Sequence, residues 1–281
     1  MIIRYQHGDS ITAGVVVDDQ VHPLVRPLSE LLGSSAAELR AVVDAAADGS
    51  AVALSEVTVL APVDGRTEVW AAGVTYEISQ AARMEESESS ADVYAQVYEA
   101  DRPELFFKSV AWRVVGDGGE IRARADSVID VPEPELALLV NAGGEIVGYG
   151  VCNDMSSRTI EAENPLYLPQ AKVYAGSCAL GPGITPAWEV DDPYALELRL
   201  TITRAGDTAW SGSASVGQLH RRLDELVDWL RRELEFPDGV WLSTGTCLVP
   251  ELPFTVADGD VITVEIPGLG TLSNPLRRLS G

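Results

Sequence analysis

Hydrophobic and polar positions follow two periods along this chain, and the change from one to the other divides it. Ile11 to Val17 is a β-branched run ending at Asp18-Asp19, which predicts a strand and a turn. Ser29 opens a short helix that stops at Gly33. Ser35-Ala36-Ala37-Glu38 has the spacing of a capping box, and the helix behind it ends at Asp48-Gly49. Val52 to Leu60 reads as a returning strand, after which Ala61-Pro62-Val63-Asp64-Gly65-Arg66 breaks the pattern. Residues 1–64 are thus expected to form a small N-terminal α/β domain, and residues 65–281 a larger one.

Beyond the break the chain is strand-rich. Val69 to Gly73, Leu105 to Lys108 and Val261 to Ile266 predict short strands, and Leu196, Leu198, Leu200 and Ile202 alternate as in a half-buried strand. Residues 135–140 and 145–152 predict a hairpin around Asn141-Ala142-Gly143-Gly144. Ser215-Val216-Gly217-Gln218 is a second capping-box spacing, and Leu219, Leu223, Leu226, Val227, Leu230 and Leu234 supply the stripe of a helix. The polar, acidic stretch from Glu77 to Ala100 fits either a helix or a mobile cover.

Composition narrows the partners. A hydrophobic content of 46% over 281 residues supports a sizeable core. No apolar run approaches the roughly 20 residues of a membrane span, and Met1 to His7 is too short and polar for a signal peptide. With 43 acidic and 20 basic residues the net charge is −23, which disfavours nucleic acid and anionic membranes as partners. Cys152, Cys178 and Cys247 form neither a disulfide framework nor a paired metal motif, which predicts a cytoplasmic location. Only Lys108 and Lys172 are lysine. Codon bias is one reading of that; the other is that a compact ammonium is kept where a guanidinium would not serve.

The acidic residues contain one ordered pattern. Glu133 and Glu135 sit two apart, which places them on one face of a strand about 7 Å from each other. Pro132 and Pro134 flank them, so the stretch is predicted to be a strand end at an open rim rather than a regular central strand. If Val140 pairs with Glu145, then Glu135 faces Gly150, Glu133 faces Cys152, and Asp154 falls one step beyond on the same face. A slip of one residue would undo this convergence. Three like charges that close repel strongly unless a cation joins them, and all-oxygen ligation favours Mg²⁺, Mn²⁺ or Ca²⁺ over zinc. Spacing alone leaves open that the two Glu are simply exposed acids.

Several blocks, in one order, resemble the fumarylacetoacetate hydrolase superfamily. They are Glu133-Pro134-Glu135-Leu136-Ala137, Asn153-Asp154-Met155-Ser156-Ser157-Arg158 after Gly148-Tyr149, Leu180-Gly181-Pro182 after Lys172, and Gly259-Asp260-Val261 leading to Gly268 through Pro275. The resemblance implies an α+β, mainly β fold, a distorted β-roll with the small N-terminal domain, assembled as a homodimer or homotetramer. It implies a Mg²⁺ or Mn²⁺ ion held by Glu133, Glu135 and Asp154.

Gly73-Val74-Thr75-Tyr76, Arg102 to Lys108, Glu163 to Lys172 and Thr244-Gly245-Thr246 resemble more narrowly the branch containing 2-keto-3-deoxy-D-arabinonate dehydratase. That branch turns 2-keto-3-deoxy-pentonates into 2,5-dioxopentanoate, so a small anionic 2-keto acid is the implied substrate. By resemblance Lys172 and Glu104 are the catalytic candidates. Thr246 and Gly245 are candidates for the substrate carboxylate, and Tyr76, Arg83 and Lys108 for the rest of the substrate. Arg158 is expected to brace the Asp154 loop. Hydrolytic members carry a His shortly after a Gly-Xaa-Asn-Tyr motif, whereas Tyr76 is followed here by Glu77, Ile78 and Ser79, and His7, His22 and His220 lie outside every block. The missing base argues against hydrolysis. Acylpyruvate hydrolysis, oxaloacetate decarboxylation and dienoate hydration remain the alternatives within the superfamily, and a non-catalytic binding protein the alternative outside it.

Overall fold

The computed structural model describes residues 1–76 and 96–278. In chain order the first elements are β1 (Ile2–His7), β2 (Ser10–Val17), β3 (Gln20–Pro23), α1 (Leu28–Leu31), α2 (Ala36–Ala47), β4 (Val52–Ala53), β5 (Thr58–Leu60), β6 (Glu68–Gly73) and β7 (Glu104–Val110). There follow β8 (Ile121–Ala123), β9 (Asp130–Val131), β10 (Pro134–Val140), β11 (Ile146–Asp154), β12 (Ser156–Ser157), α3 (Arg158–Glu163) and α4 (Leu168–Lys172). The last are β13 (Cys178–Pro186), β14 (Glu197–Arg204), β15 (Asp207–Ser215), α5 (Leu223–Leu230), β16 (Val240–Ser243), β17 (Val261–Ile266) and β18 (Gly270–Arg278). Strands dominate, as the mainly β expectation requires.

One large sheet runs β4-β3-β2-β1-β13-β11-β10-β16-β6-β7, with β5 paired to β1; a second runs β15-β14-β17-β18-β8, and β12 pairs with β9. The N-terminal strands continue the large sheet through the pairing of β1 with β13. Both faces of its middle are covered. Leu136, Leu138, Val140 and Val151 meet Leu200, Ile202, Val264 and Leu272 of the second sheet, together with Leu223, Leu226 and Leu230 of α5. On the other face Ala137, Leu139 and Trp241 meet Leu28, Leu31, Leu39 and Val43 from α1 and α2. Each fully buried leucine in these layers contributes about 1.5–3 kcal/mol.

Strand β10 differs from the rim strand expected of it. It lies between β11 and β16, and all of its residues are buried. Pro134 is tolerated because it occupies the first position of the strand. Along β10 even positions enter one core and odd positions the other, so Glu135 continues the odd row beyond Leu139 and Ala137.

The capping box at Ser35 forms as its spacing predicts, with Ser35 and Glu38 bonded reciprocally. The one expected at Ser215 does not start a helix. Ser215 closes β15 and caps a single 3₁₀ turn over Val216–Gln218, and α5 begins only at Leu223. The reason is tertiary. Leu219 bridges to Tyr76, and the His220 amide donates to the Thr75 carbonyl at 2.9 Å, so this backbone cannot also close helical turns. Leu234 consequently lies beyond the helix and is exposed. The returning strand Val52 to Leu60 is likewise broken, by a 3₁₀ turn over Leu54–Glu56. Of the acidic stretch from Glu77 to Ala100, residues 77–95 lie outside the described residues, and residues 96–99 are helical.

Candidate active site

Glu133, Glu135 and Asp154 are 2%, 1% and 1% exposed, and each offers a carboxylate oxygen within 4.8 Å of the others. They are not surface acids. The hairpin that gathers them has a register two residues away from the expected one, with Glu135 opposite Cys152 and Pro134 opposite Asn153. One residue of the offset comes from the turn, where Val140 pairs with Ile146 in place of Glu145, and the other from a bulge between Leu139 and Val140. A slip of two keeps every side chain on its face, so the carboxylates still converge. The Asp154 amide donates to the Glu133 carbonyl at 2.9 Å, and β12 pairs with β9, which holds both carboxylate-bearing ends in place.

Both lysines of the chain are here. The Lys172 ammonium donates to Glu133 Oε2 at 2.6 Å, Asp154 Oδ2 at 3.1 Å and Ser156 Oγ at 2.6 Å, and stands 5.6 Å from the centre of the Phe106 ring. Lys108 is fully buried; its ammonium donates to the Met155 carbonyl at 3.0 Å and the Lys172 carbonyl at 2.6 Å, and pairs with Asp154 Oδ1. Lys108, considered for substrate contact, thus lies beneath the carboxylates, where it ties Asp154 to the backbone carrying Lys172. Arg158 reaches Glu133 Oε1 at 2.8 Å and Glu161 Oε2 at 3.8 Å instead of simply bracing its own loop.

Glu135 is held from the other side. Ser243 Oγ and the Gly245 amide donate to its Oε2 at 2.5 and 2.9 Å. Gly245 has φ +92°, and a Cβ there would stand 2.0 Å from Thr75 Oγ1, so only glycine lets this amide reach the carboxylate. The Thr246 hydroxyl donates to the Pro134 carbonyl at 3.0 Å. Burial above all, then the neighbouring Asp154, Cys152 and Glu133, pushes the Glu135 carboxyl well above the usual carboxylate range. A hard dication among these oxygens would cancel that repulsion. The donor set is all oxygen, buried and converging, and it fits such an ion.

Glu133, Glu135, Lys172, Gly245 and Thr246 line one narrow cavity, joined by Arg158, Phe106 and Gly73. Glu104 stands behind Gly73, where a Cβ would lie 2.1 Å from Glu104 Oε2; glycine lets the carboxylate fold against the chain. Val74, a β-branched residue at φ +52°, lines the same cavity, a strain of about 1–3 kcal/mol stored beside the carboxylates. Tyr76 is buried, its phenol raised by burial and by the nearby Cys247 and Glu135. Arg83 lies outside the described residues.

Arg158, Phe106, Ser156 and Ser243 carry no role in the sequence reading beyond the loop brace suggested for Arg158. Arg158 had a signal, four residues after Asp154 in the same block, whereas Ser243 belongs to a strand whose place beside β10 leaves no local mark.

The thiols near the site make a simple prediction. Burial, the largest cause, pushes Cys247 up to about 11, and the hydrogen bond with Cys178 followed by burial raises Cys152 well above the usual thiol range. Thiolate is the reactive form. All three cysteines are buried, so the native protein at pH 7.5 should leave each unmodified by iodoacetamide and react at each once unfolded, as read by intact mass.

Residues 68–277 match the family described as "Fumarylacetoacetate (FAA) hydrolase C-terminal". The chain is 51% identical over 213 residues to a probable 2-keto-3-deoxyxylonate dehydratase of Haloferax volcanii, covering 76% of this chain and 73% of that protein. It is 40% identical over 228 residues to a 2-dehydro-3-deoxy-D-arabinonate dehydratase of Saccharolobus solfataricus, covering 80% and 76%. In structure it matches a 2-keto-3-deoxy-D-arabinonate dehydratase complexed with magnesium and 2,5-dioxopentanoate, with a TM-score of 0.86, 33% identity and coverage of 100% of this chain and 99% of that one. Matches of this extent, on a chain that gathers its acidic trio at the positions the motifs mark, mean that the protein belongs to the fumarylacetoacetate hydrolase family.

Proposed function

We propose that the protein is a magnesium-dependent dehydratase that converts a 2-keto-3-deoxy-pentonate, of arabinonate or xylonate type, to 2,5-dioxopentanoate. The observation that carries this reading is the buried trio Glu133, Glu135 and Asp154 meeting the Lys172 ammonium in a cavity whose described lining contains no histidine. The names of the relatives from Haloferax volcanii and Saccharolobus solfataricus support the same substrate class.

Glu133, Glu135 and Asp154 would hold the ion, which supplies Lewis-acid stabilisation of the negative charge that develops on the 2-oxo group as a proton leaves C3. Lys172 is the group beside that charge, and its unprotonated amine takes the C3 proton. Glu104 assists departure of the C4 hydroxyl as water; the unsaturated alcohol that remains tautomerises to the aldehyde at C5. Gly245 and Thr246 form the wall beside the substrate carboxylate, with Arg158 as the positive charge that draws an anion into a chain of net charge −23. Lys108 holds Asp154 and the Lys172 backbone in place.

Assembly as a homodimer or homotetramer and a cytoplasmic location belong to the same proposal. The buried free cysteines suit a reducing compartment. Among the described residues no helix is long and apolar enough to cross a membrane.

Incubation with 2-keto-3-deoxy-arabinonate and -xylonate, acylpyruvates and oxaloacetate, with product identification, tests the reading. Aldehyde should form from a pentonate, stop on chelation with EDTA and return with Mg²⁺. Release of pyruvate from an acylpyruvate, with no aldehyde from either pentonate, would reverse it.

A further inference from the structure

One peptide unit, between Thr244 and Gly245, connects the loop after β6 to the carboxylate of Glu135. Thr75 Oγ1 donates to the Thr244 carbonyl at 2.7 Å, and the Gly245 amide donates to Glu135 Oε2 at 2.9 Å. The unit is trans, so its carbonyl and its amide point in opposite directions, and fixing one fixes the other. Nothing in the local chain fixes it. A Cβ at residue 245 would stand 3.0 Å from the Ala72 carbonyl as well as against Thr75, so the position is kept as glycine, at φ +92°. Glycine leaves the peptide before it free to turn over, because turns of type I and type II differ by little more than reversal of their central peptide. The Thr244 amide and hydroxyl both donate to the Leu136 carbonyl, at 3.0 and 2.9 Å, which anchors that residue but not the peptide that follows it. Thr75 is itself well held. It is 1% exposed, its carbonyl accepts from the His220 amide at 2.9 Å, and Gly73, two residues earlier, pairs with Glu104 at the end of β6.

We infer that Thr75 is a positioning residue for the metal centre: its hydroxyl locks the 244–245 peptide so that the Gly245 amide, and not the Thr244 carbonyl, faces Glu135. The inference rests on the dehydratase reading, in which Glu135 holds the ion, and deepens it by tracing what presents that carboxylate. Thr75 does not line the carboxylate cavity and acts through Gly245. Along the row from hydroxyl to peptide to carboxylate each hydrogen bond polarises the next, and burial strengthens all of them. Turned over, the same peptide would set a carbonyl oxygen against a carboxylate. Glu135 would lose a donor and gain a repulsive neighbour, and the Gly245 amide would lose its acceptor. Ser243 donates to the same oxygen whichever way the peptide points, so loss of the lock weakens the ligand without abolishing it. Outer partners of this kind carry about 10–100-fold in metal affinity.

Thr75→Val, Thr75→Ser and Thr75→Cys test the lock on the full chain, with Mg²⁺ affinity measured by isothermal titration calorimetry in the absence of substrate. Valine keeps the shape and removes the donor, and should weaken Mg²⁺ binding by about tenfold or more. Serine keeps the hydroxyl and drops the methyl group, and should bind Mg²⁺ as the wild type does. Cysteine, a weak donor, should fall between them. Crystals of Thr75→Val should show the 244–245 peptide reversed, with its carbonyl toward Glu135. Equal weakening in the serine and valine variants would assign the loss to packing and overturn the lock. Unchanged affinity in Thr75→Val, or a Gly245 amide still aimed at Glu135 in its crystals, would overturn it as well. If Thr75→Val does not fold, the other two variants decide: wild-type affinity with serine and a loss with cysteine supports the lock, and equal affinities overturn it. Failure of the dehydratase reading is a separate result: no aldehyde from either pentonate while the Mg²⁺ affinities keep this order.

Discussion

Glu135→Gln should lose magnesium binding and at least about 10²-fold in turnover, the loss expected when a metal ligand or its support is removed. The change is nearly isosteric, yet it conflicts with everything around the side chain. Ser243 Oγ and the Gly245 amide both donate to Oε2, so an amide nitrogen at that position would face two donors, and the opposite flip would turn the nitrogen toward the remaining oxygens of the trio. One negative charge also leaves a cluster whose repulsion the ion is needed to offset. The fold should survive, because the replaced carboxylate is itself held well above its ordinary range by burial. Thermal melting with and without Mg²⁺ reads both effects: an ion at about 100 times its Kd stabilises the wild type by about 2.7 kcal/mol, and the variant should lose that increment while melting close to the metal-free wild type. A variant that keeps the full magnesium-dependent shift would remove Glu135 from the ligand set.

The largest stability effect should come from Lys108→Met. Methionine matches the unbranched stem and supplies no donor. It leaves Asp154 Oδ1, the Met155 carbonyl and the Lys172 carbonyl without this ammonium in a fully buried place. Breaking a buried pair by removing one partner costs about 3–5 kcal/mol, which lowers Tm by about 10 °C in a chain of this size. Mg²⁺ should restore part of the loss, since a cation beside Asp154 compensates the same charge. Melting within about 2 °C of the wild type without metal would mean that Lys108 does not carry this charge balance.

Legibility from the sequence ended where sheet neighbours began. The trio was readable because two of its members are separated by the two-residue period of a strand and the third lies across one hairpin. Even there the register was off by two, since neither the longer turn nor the bulge at Leu139 and Val140 has a mark that periodicity can register. The face survived because an even slip preserves it. The helix expected from Ser215 failed for the complementary reason: its spacing was right, but the backbone of Leu219 and His220 is taken by Thr75 and Tyr76, far away in the chain. Lys108 is the third case. Scarcity singled it out, yet nothing local could say whether it would face the substrate or lie beneath Asp154.

The sequence by itself determined the strand alternation, the capping at Ser35, the pairing of Glu133 with Glu135 on one face and the family to which the ordered motifs belong. These follow from sterics and hydrogen bonds between near neighbours, which act wherever the residues occur. Tertiary structure alone decided that Ser243 would meet Glu135 across 108 residues, that Lys172 would reach Glu133 across 39, and that Arg158 would pair with both Glu133 and Glu161. Such contacts depend on the order of strands in a sheet, and that order is set by which faces bury together, a property of the whole chain.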